Sequence, residues 1–357
     1  MGARLRVVLD QLVHVVDPDQ AAAAVDLTIG LVATAPSGCT VEAIVPAGAE
    51  VPISGLTDVR TLALGRRELA GSWQLGIAPG VGGGLVHAPS LMAPLVRHDR
   101  LHDNDQTTVT LWDLRAWDAP ELLPKGVVAW QRGMLRRAVK HADAVVVPTH
   151  AIGERLSELA KLGDRIRVIA GAAPRDFAVP DDADDRRVAL SLPARYVVLT
   201  GSEATLSEGF RGAVEAGIDA VVLDAREGAE PRLAEIASAA GLPERRAHVR
   251  GALSPADRAA VLAGAAGFAA TSAIAAWPWR AVEAMALGIP VIAVESGSHC
   301  DVIADGGVLV PEDGLAEAVA DATGDASARL SVLADDRSRA FSWASAAERV
   351  WALHADL

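Results

Sequence analysis

Residues 279–294 read WRAVEAMALGIPVIAV. The first half is built from Arg, Ala, Glu, Met and Leu, which hold a helix well. Gly288 and Pro290 then stop it, because glycine favours the position after a helix and proline cannot continue one. Val291-Ile292-Ala293-Val294 follows without a polar residue, the pattern of a short strand covered on both faces. A helix, a stop and a buried strand form half of a repeating βα unit.

The same unit recurs in both directions. Apolar runs stand at Leu5–Leu9, Val41–Val45, Leu85–His87, Thr108–Leu111, Ala144–Val147 and Arg167–Ile169. They continue at Tyr196–Thr200, Ala220–Leu223, Ala247–Arg250, Gly267–Ala270 and Val308–Val310. Helix-length segments separate them, which implies parallel sheets with right-handed crossovers. The chain of 357 residues suits two cores. Between its halves, Ala170–Arg187 holds Pro174, Pro180 and the acidic run 181–185, which reads as a solvated linker. The expected architecture is α/β: two doubly wound, Rossmann-like domains, 1–180 and 181–340, with ligands at the carboxyl ends of the strands.

Composition removes several classes. A net charge of −13 provides no basic field for nucleic acid. The two cysteines, Cys39 and Cys300, suggest neither a disulfide framework nor metal-ligand spacing, and reduced thiols in a cytoplasm are the expectation. No cofactor or metal is expected. The uncharged stretch 259–279 is long enough for a membrane span. Its Ala and Gly content and Pro278 make a helix end, a strand and a loop the simpler reading. The glycine cluster 80–84 precedes a strand and opens no helix, so it lacks the dinucleotide-binding geometry. His87 and His150 read as strand-end histidines.

The stretch Thr271–Ser296 resembles the donor-binding signature of family-4 retaining glycosyltransferases of the GT-B fold, as an actinobacterial-like divergent member. In that signature a glutamate, seven residues and a second glutamate lead into Glu-Ala-Met-Ala-x-Gly-x-Pro-Val-Ile-Ala. Glu283 matches the second glutamate, and Asp305–Asp313 matches the later Asp-Gly-Gly-x-Leu-Val-Pro-x-Asp stretch. Segments 86–90, 108–114 and 146–156 resemble the family's acceptor-domain elements, and 341–357 resembles its tail helix that packs back on the first domain.

The resemblance implies a cleft between the two domains that takes a nucleotide sugar. Glu283 would accept bonds from the ribose hydroxyls; the plainer role for this residue is charge in the first turn of its helix. The backbone at Gly251 and Leu253 would hold the base. Gly201, Ser202, the helix opening at Ser207, Arg211 and Arg280 would meet the phosphates. Trp277 and Trp279 would flank the cleft, and Trp112 and Asp113 would shape the acceptor side. The implied activity is transfer of a sugar to a polysaccharide or lipid-linked cell-envelope acceptor, retaining and metal-independent, in the cytoplasm or at the inner face of the plasma membrane. A basic helix over 130–141, with Arg132, Arg136, Arg137 and Lys140, is a solvated face or a peripheral membrane contact.

The departures fall on the chemistry. Ala275 stands where the family has its first glutamate, and Trp277-Pro278 replaces flexible glycine-rich backbone. No cation follows Gly201 before Arg211, Trp112 replaces a histidine, and the loop at Asp17–Gln20 lacks glycine. These losses raise the alternative of a catalytically degenerate homologue that acts as partner to an active transferase.

Overall fold

The computed structural model describes residues 2–98 and 105–357. They form two compact units: 1–172 with 274–277 and 341–357, and 173–273 with 278–340.

In the first unit, seven parallel strands run in the order β3-β2-β1-β4-β5-β6-β7. They are β1 (Arg4–Val8), β2 (Thr40–Val45), β3 (Asp58–Thr61), β4 (Leu85–Ala88), β5 (Gln106–Thr110), β6 (Ala144–Val147) and β7 (Ile166–Val168). Helices α1 (Pro18–Ala33), α2 (Arg66–Gln74), α3 (Arg115–Asp118), α4 (Lys125–His141) and α5 (His150–Leu159) connect them. Asp17 caps α1 by accepting from the Gln20 amide, with Pro18 at the first helical position. The aliphatic strands β1, β4 and β6 and the inward faces of α2, α4 and α5 build one core around Trp73, Met92 and Met134.

In the second unit, six parallel strands run β10-β9-β8-β11-β12-β13. These are β8 (Tyr196–Thr200), β9 (Asp219–Val222), β10 (Ala247–Val249), β11 (Gly267–Ala270), β12 (Val291–Val294) and β13 (Val308–Val310). Its helices are α6 (Ala183–Ala189), α7 (Leu206–Glu215), α8 (Glu230–Ala239), α9 (Pro255–Ala263), α10 (Trp279–Ala286), α11 (Gly297–Val302), α12 (Leu315–Ala322) and α13 (Ser327–Ser338). Gly288 closes α10 at φ +65, the left-handed geometry that an L side chain rarely takes. Phe210 and Leu233 anchor this core.

Helix α14 (Trp343–Asp356) belongs to the first unit and packs on α1, where the Trp351 Nε1–H donates to the Leu31 carbonyl at 3.1 Å. Residues Ile274–Trp277 join that unit as an extended piece beside 112–114. Leu114 N–H donates to Ala275 O at 2.9 Å, and Trp277 N–H donates to Trp112 O at 3.0 Å.

Two local readings change. Strand β3 was not expected: all four residues are exposed at the sheet edge, so no apolar run marks it. The acidic run opens a helix, with Asp184 and Asp185 in the first turn of α6, where carboxylates complement the helix dipole. Asp182 pairs with Arg186 at 2.7 Å, and Arg186 reaches Asp257 at 2.7 Å. The glycine cluster folds its carbonyls around the buried Arg6, which donates to Val81 O at 2.6 Å and also to the carbonyls of Gly82 and Gly83. The stretch 259–279 is divided among α9, β11, a loop and the start of α10, and no described helix is long and apolar enough to cross a membrane.

Candidate functional site

Each sheet reverses its strand order once, between β1 and β4 and between β8 and β11, and open α/β sheets bind ligands outside the carboxyl ends at such points. The sequence-expected residues gather at these two places, one in each unit.

In the second unit, β8 ends in a tight turn. Ser202 N–H donates to Thr205 Oγ1 at 3.0 Å, and Thr205 and Thr271 hydroxyls meet at 2.9 Å. A Cβ on Gly201 would lie 2.0 Å from Thr271 Oγ1, so only glycine fits there. Helix α7 then opens with no side-chain cap, leaving Ser207 in its first turn. Arg211 lies further along α7, half exposed, and its guanidinium pairs with Glu208 at 2.6 Å.

Glu283 sits in the second turn of α10, not at its start, and is 1% exposed. Its Oε1 accepts from Arg258 Nη2 at 2.6 Å and from Arg280 Nη1 at 3.1 Å; its Oε2 accepts from Arg258 Nε at 3.0 Å. Arg280 also pairs with Asp224 at 2.8 Å, and Arg258 Nη1 donates to the Leu253 carbonyl at 2.9 Å. Two guanidiniums and two carboxylates thus form one charge-balanced set reaching the backbone that follows β10, with Arg258, Arg280 and Glu283 buried and Asp224 exposed. Buried charges persist when paired and fully bonded. Gly251 stays exposed beside this set. Asp224 holds φ +58, a left-handed geometry tolerated by aspartate better than by most residues. The sequence reading missed Arg258 and Asp224. The only signals were an arginine in an otherwise alanine-rich helix and a carboxylate directly after the apolar run Ala220–Leu223.

In the first unit, a cavity of about 1090 Å³ opens at the carboxyl ends of β1, β4 and β5, with the start of α2 and the first turns of α4 on its other side. Trp112 and Asp113 line it. Trp112 is buried, its Nε1–H donating to Pro89 O at 2.8 Å. Asp113 accepts from the Arg115 backbone at 2.9 Å and from its guanidinium at 2.8 Å, and that guanidinium also reaches Asp17 at 3.3 Å. Burial lowers the Arg115 pKa, but the bonds to Asp113 and Asp17 outweigh it and hold the group above its ordinary value. Next to them Asp10 pairs with Arg66 at 2.9 Å and accepts from Ser90 at 3.1 Å; burial pushes its carboxyl pKa up. Asp10, Arg66, Ser90 and Arg115 were not singled out from the sequence; Asp10 directly follows the first apolar run.

Trp277 is buried in the first unit, edge-on to Phe341 with ring centroids 5.5 Å apart. The structure therefore groups Trp277 with Trp112 and Asp113, and groups Glu283, Arg280 and Leu253 together in the second unit. His87 is buried, while His150 is exposed at the start of α5. On α4, Arg136 and Lys140 are exposed, whereas Arg132 and Arg137 turn back to the carbonyls of Ala116 and Leu95.

Residues 214–327, from the end of α7 to the start of α13, match the family model described as glycosyl transferases group 1. No curated protein sequence matches the chain. Among solved structures, sucrose-phosphate synthase from Thermosynechococcus elongatus aligns over 99% of this chain and 98% of its own, at 19% identity and TM-score 0.69. The catalytic domain of starch synthase IV from Arabidopsis thaliana, bound to ADP and acarbose, aligns over 100% and 99% at 13% identity and TM-score 0.66. HepE of Anabaena in complex with UDP-glucose aligns over 99% and 100% at 16% identity and TM-score 0.64. The two parallel-sheet, Rossmann-like α/β units are those of the GT-B fold.

Proposed function

We propose that the chain is a glycosyltransferase that takes a nucleotide-sugar donor on its second unit and a hydroxyl-bearing acceptor on its first. The reading rests on one observation above others: the segment matching the group 1 glycosyltransferase model contains the bonded set Asp224, Leu253, Arg258, Arg280 and Glu283. Gly251 and Leu253 offer backbone to the base, and Glu283 offers its carboxylate to the ribose. The turn at Gly201 and Ser202, the uncapped start of α7 at Ser207, Arg211 and Arg280 take the diphosphate, since free helical amides and the dipole favour an anion. The resemblance to family 4 adds a retaining, metal-independent course: the diphosphate departs with the bonding electrons and the acceptor oxygen attacks from the same face. It also points to a polysaccharide or lipid-linked cell-envelope acceptor. Arg136 and Lys140 on α4 offer exposed charge to the inner face of a plasma membrane.

A second reading has its own support. A ribose hydroxyl must share a carboxylate already engaged by two guanidiniums, and Ala275 spends its carbonyl on Leu114. A chain with these features and no cation in the turn after β8 fits a degenerate homologue that partners an active transferase.

Thermal melting with UDP-, GDP-, ADP- and dTDP-sugars separates the two. The transferase reading expects a rise in Tm with one nucleotide class, lost in Glu283→Gln, and slow donor hydrolysis. Flat curves for every nucleotide, with co-purification of another transferase, would establish the second reading instead.

A further inference from the structure

Exposed aliphatic side chains and unpaired guanidiniums meet at one place in the first unit, the end of its sheet away from the cavity. Helix α2 stops at Gln74, and residues 75–84, LGIAPGVGGG, carry no charge on their way to β4. Leu75 is 75% exposed and Ile77 57%. A fixed turn holds both out. Gly76 takes φ +81, the Ile77 amide donates to the Ser72 carbonyl at 2.9 Å, and the Ser72 hydroxyl donates back to the Ile77 carbonyl at 2.5 Å. The backbone of this tip is thus ordered before it meets anything, which lowers the entropy lost on binding.

Cations surround the tip. The Arg137 guanidinium lies against Gly76 and donates to the Leu95 carbonyl, two residues before the exposed Arg97. Arg136 and Lys140 are exposed one turn apart on α4. At the far end of the loop, a Cβ on Gly82 would lie 3.9 Å from the exposed Arg60. Among the described residues Arg60, Arg97 and Arg136 make no ion pair, whereas the exposed Arg211, Arg232 and Arg339 each meet a carboxylate. Asp105 and Asp143, at the same end, are engaged by the amides of Gly84 and Thr107. An exposed carboxylate, Asp58, stands two residues from Arg60 on β3, and the cations stay in excess.

This chemistry fits an anionic bilayer. Each aliphatic side chain that leaves water for hydrocarbon adds about tenfold or more in affinity, and each basic residue near an anionic surface about fivefold. Protein interfaces are anchored instead by aromatic side chains, and residues 75–84 have none. With a net charge of −13 the rest of the chain is repelled by such a surface, so one basic end also sets which way the chain lies. We infer that residues 75–84 dock the chain on anionic lipid, with Leu75 and Ile77 entering the acyl boundary and Arg60, Arg97 and Arg136 meeting lipid phosphates. The cavity opens at the opposite end of the same strands, so the contact tethers the chain and does not itself present a substrate. The inference rests on the membrane contact proposed above for Arg136 and Lys140, and not on the donor site.

The test is flotation of the full chain with vesicles of phosphatidylcholine, alone or in equal parts with phosphatidylglycerol. The chain should float with the mixed vesicles, stay behind with the neutral ones, and be released as salt is raised. Leu75→Ser combined with Ile77→Ser should weaken binding about tenfold or more, and Arg97→Gln and Arg136→Gln about fivefold each. All four positions are exposed, so the melting temperature should not move. Val188→Ser on α6, where the valine is 77% exposed, should leave flotation unchanged. Four results would each overturn the inference: no flotation with the mixed vesicles, equal flotation with neutral ones, indifference to the Leu75 and Ile77 pair, or an equal loss in Val188→Ser. Self-association that the Leu75 and Ile77 pair abolishes, without vesicle binding, would overturn it in favour of a second copy. Vesicle binding with no nucleotide-induced melting shift would sink the transferase reading alone, and the reverse pattern the docking alone.

Discussion

Glu283 shows how a residue can be legible while its surroundings are not. The run that follows it marks its helix and its likeness to a donor-binding glutamate. Nothing local announces Arg258, which lies 25 positions earlier and meets Glu283 only after α9 and α10 fold beside β11. The strength of that pairing is measurable. Glu283→Ala would leave two guanidiniums facing each other in the interior, and the chain should lose about 3–5 kcal/mol in urea unfolding. Arg258→Met is the milder change, because Glu283 keeps Arg280 and the methionine retains apolar bulk. Under the transferase reading this variant should bind its nucleotide more tightly than the parent by titration calorimetry. Equal or weaker binding would mean that Arg258 orients the carboxylate rather than withholding it.

Elements were read well where burial dictated their composition. Every strand with an apolar run appears within a residue or two of its expected place, since a strand covered on both faces has little choice of residue. The edge strand β3 has no such constraint and left no trace. Helix α14 hides another feature the sequence did not display. His354 Nδ1 bonds to Gln106 Oε1 at 2.9 Å, and its Nε2 meets Thr108 Oγ1 at 3.3 Å. His87 Nδ1 meets the same hydroxyl at 2.7 Å, with the two rings 5.7 Å apart. An amide oxygen can only accept, so Nδ1 of His354 carries the proton, Thr108 donates to its Nε2, and His87 donates to Thr108. This chain of bonds requires the His354 imidazole to be neutral, because its Nε2 accepts. Burial pulls His354 down to about 4, and burial with the neighbouring His354 holds His87 well below its ordinary value. The unfolded histidines titrate near 6.5. Their contribution is therefore complete above that pH and falls away as the solution is acidified towards about 4. Urea unfolding from pH 7.5 to 4.5 should show a shallower acid slope in His354→Leu, by up to one proton or about 1.4 kcal/mol per pH unit. Parallel curves for the two proteins would refute this pairing.

At the scale of the whole molecule, two cores were visible, but the route of the chain through them was not. It passes from one unit to the other at 172/173, 273/274, 277/278 and 340/341. The piece 274–277 contributes backbone bonds to the first unit, and α14 contributes Trp343, Trp351 and His354 to its interior. Residues 1–172 expressed alone should therefore show weak far-UV dichroism cooperativity and elute as aggregates, whereas a chain ending at 357 elutes as a compact species. A cooperative transition from the short piece would show those returning segments to be dispensable.

The placement of Ile274–Trp277 inside a unit that the segments on either side do not belong to has a bearing on how such a chain can be remodelled. Anyone wishing to exchange the second unit for that of a related protein cannot splice at a single midpoint. Such a chimera would supply a foreign tetrapeptide and a foreign tail to a host lobe shaped for its own. The graft must be made in two blocks, 173–273 and 278–340, with the host's Ile274–Trp277 and last seventeen residues retained between and after them.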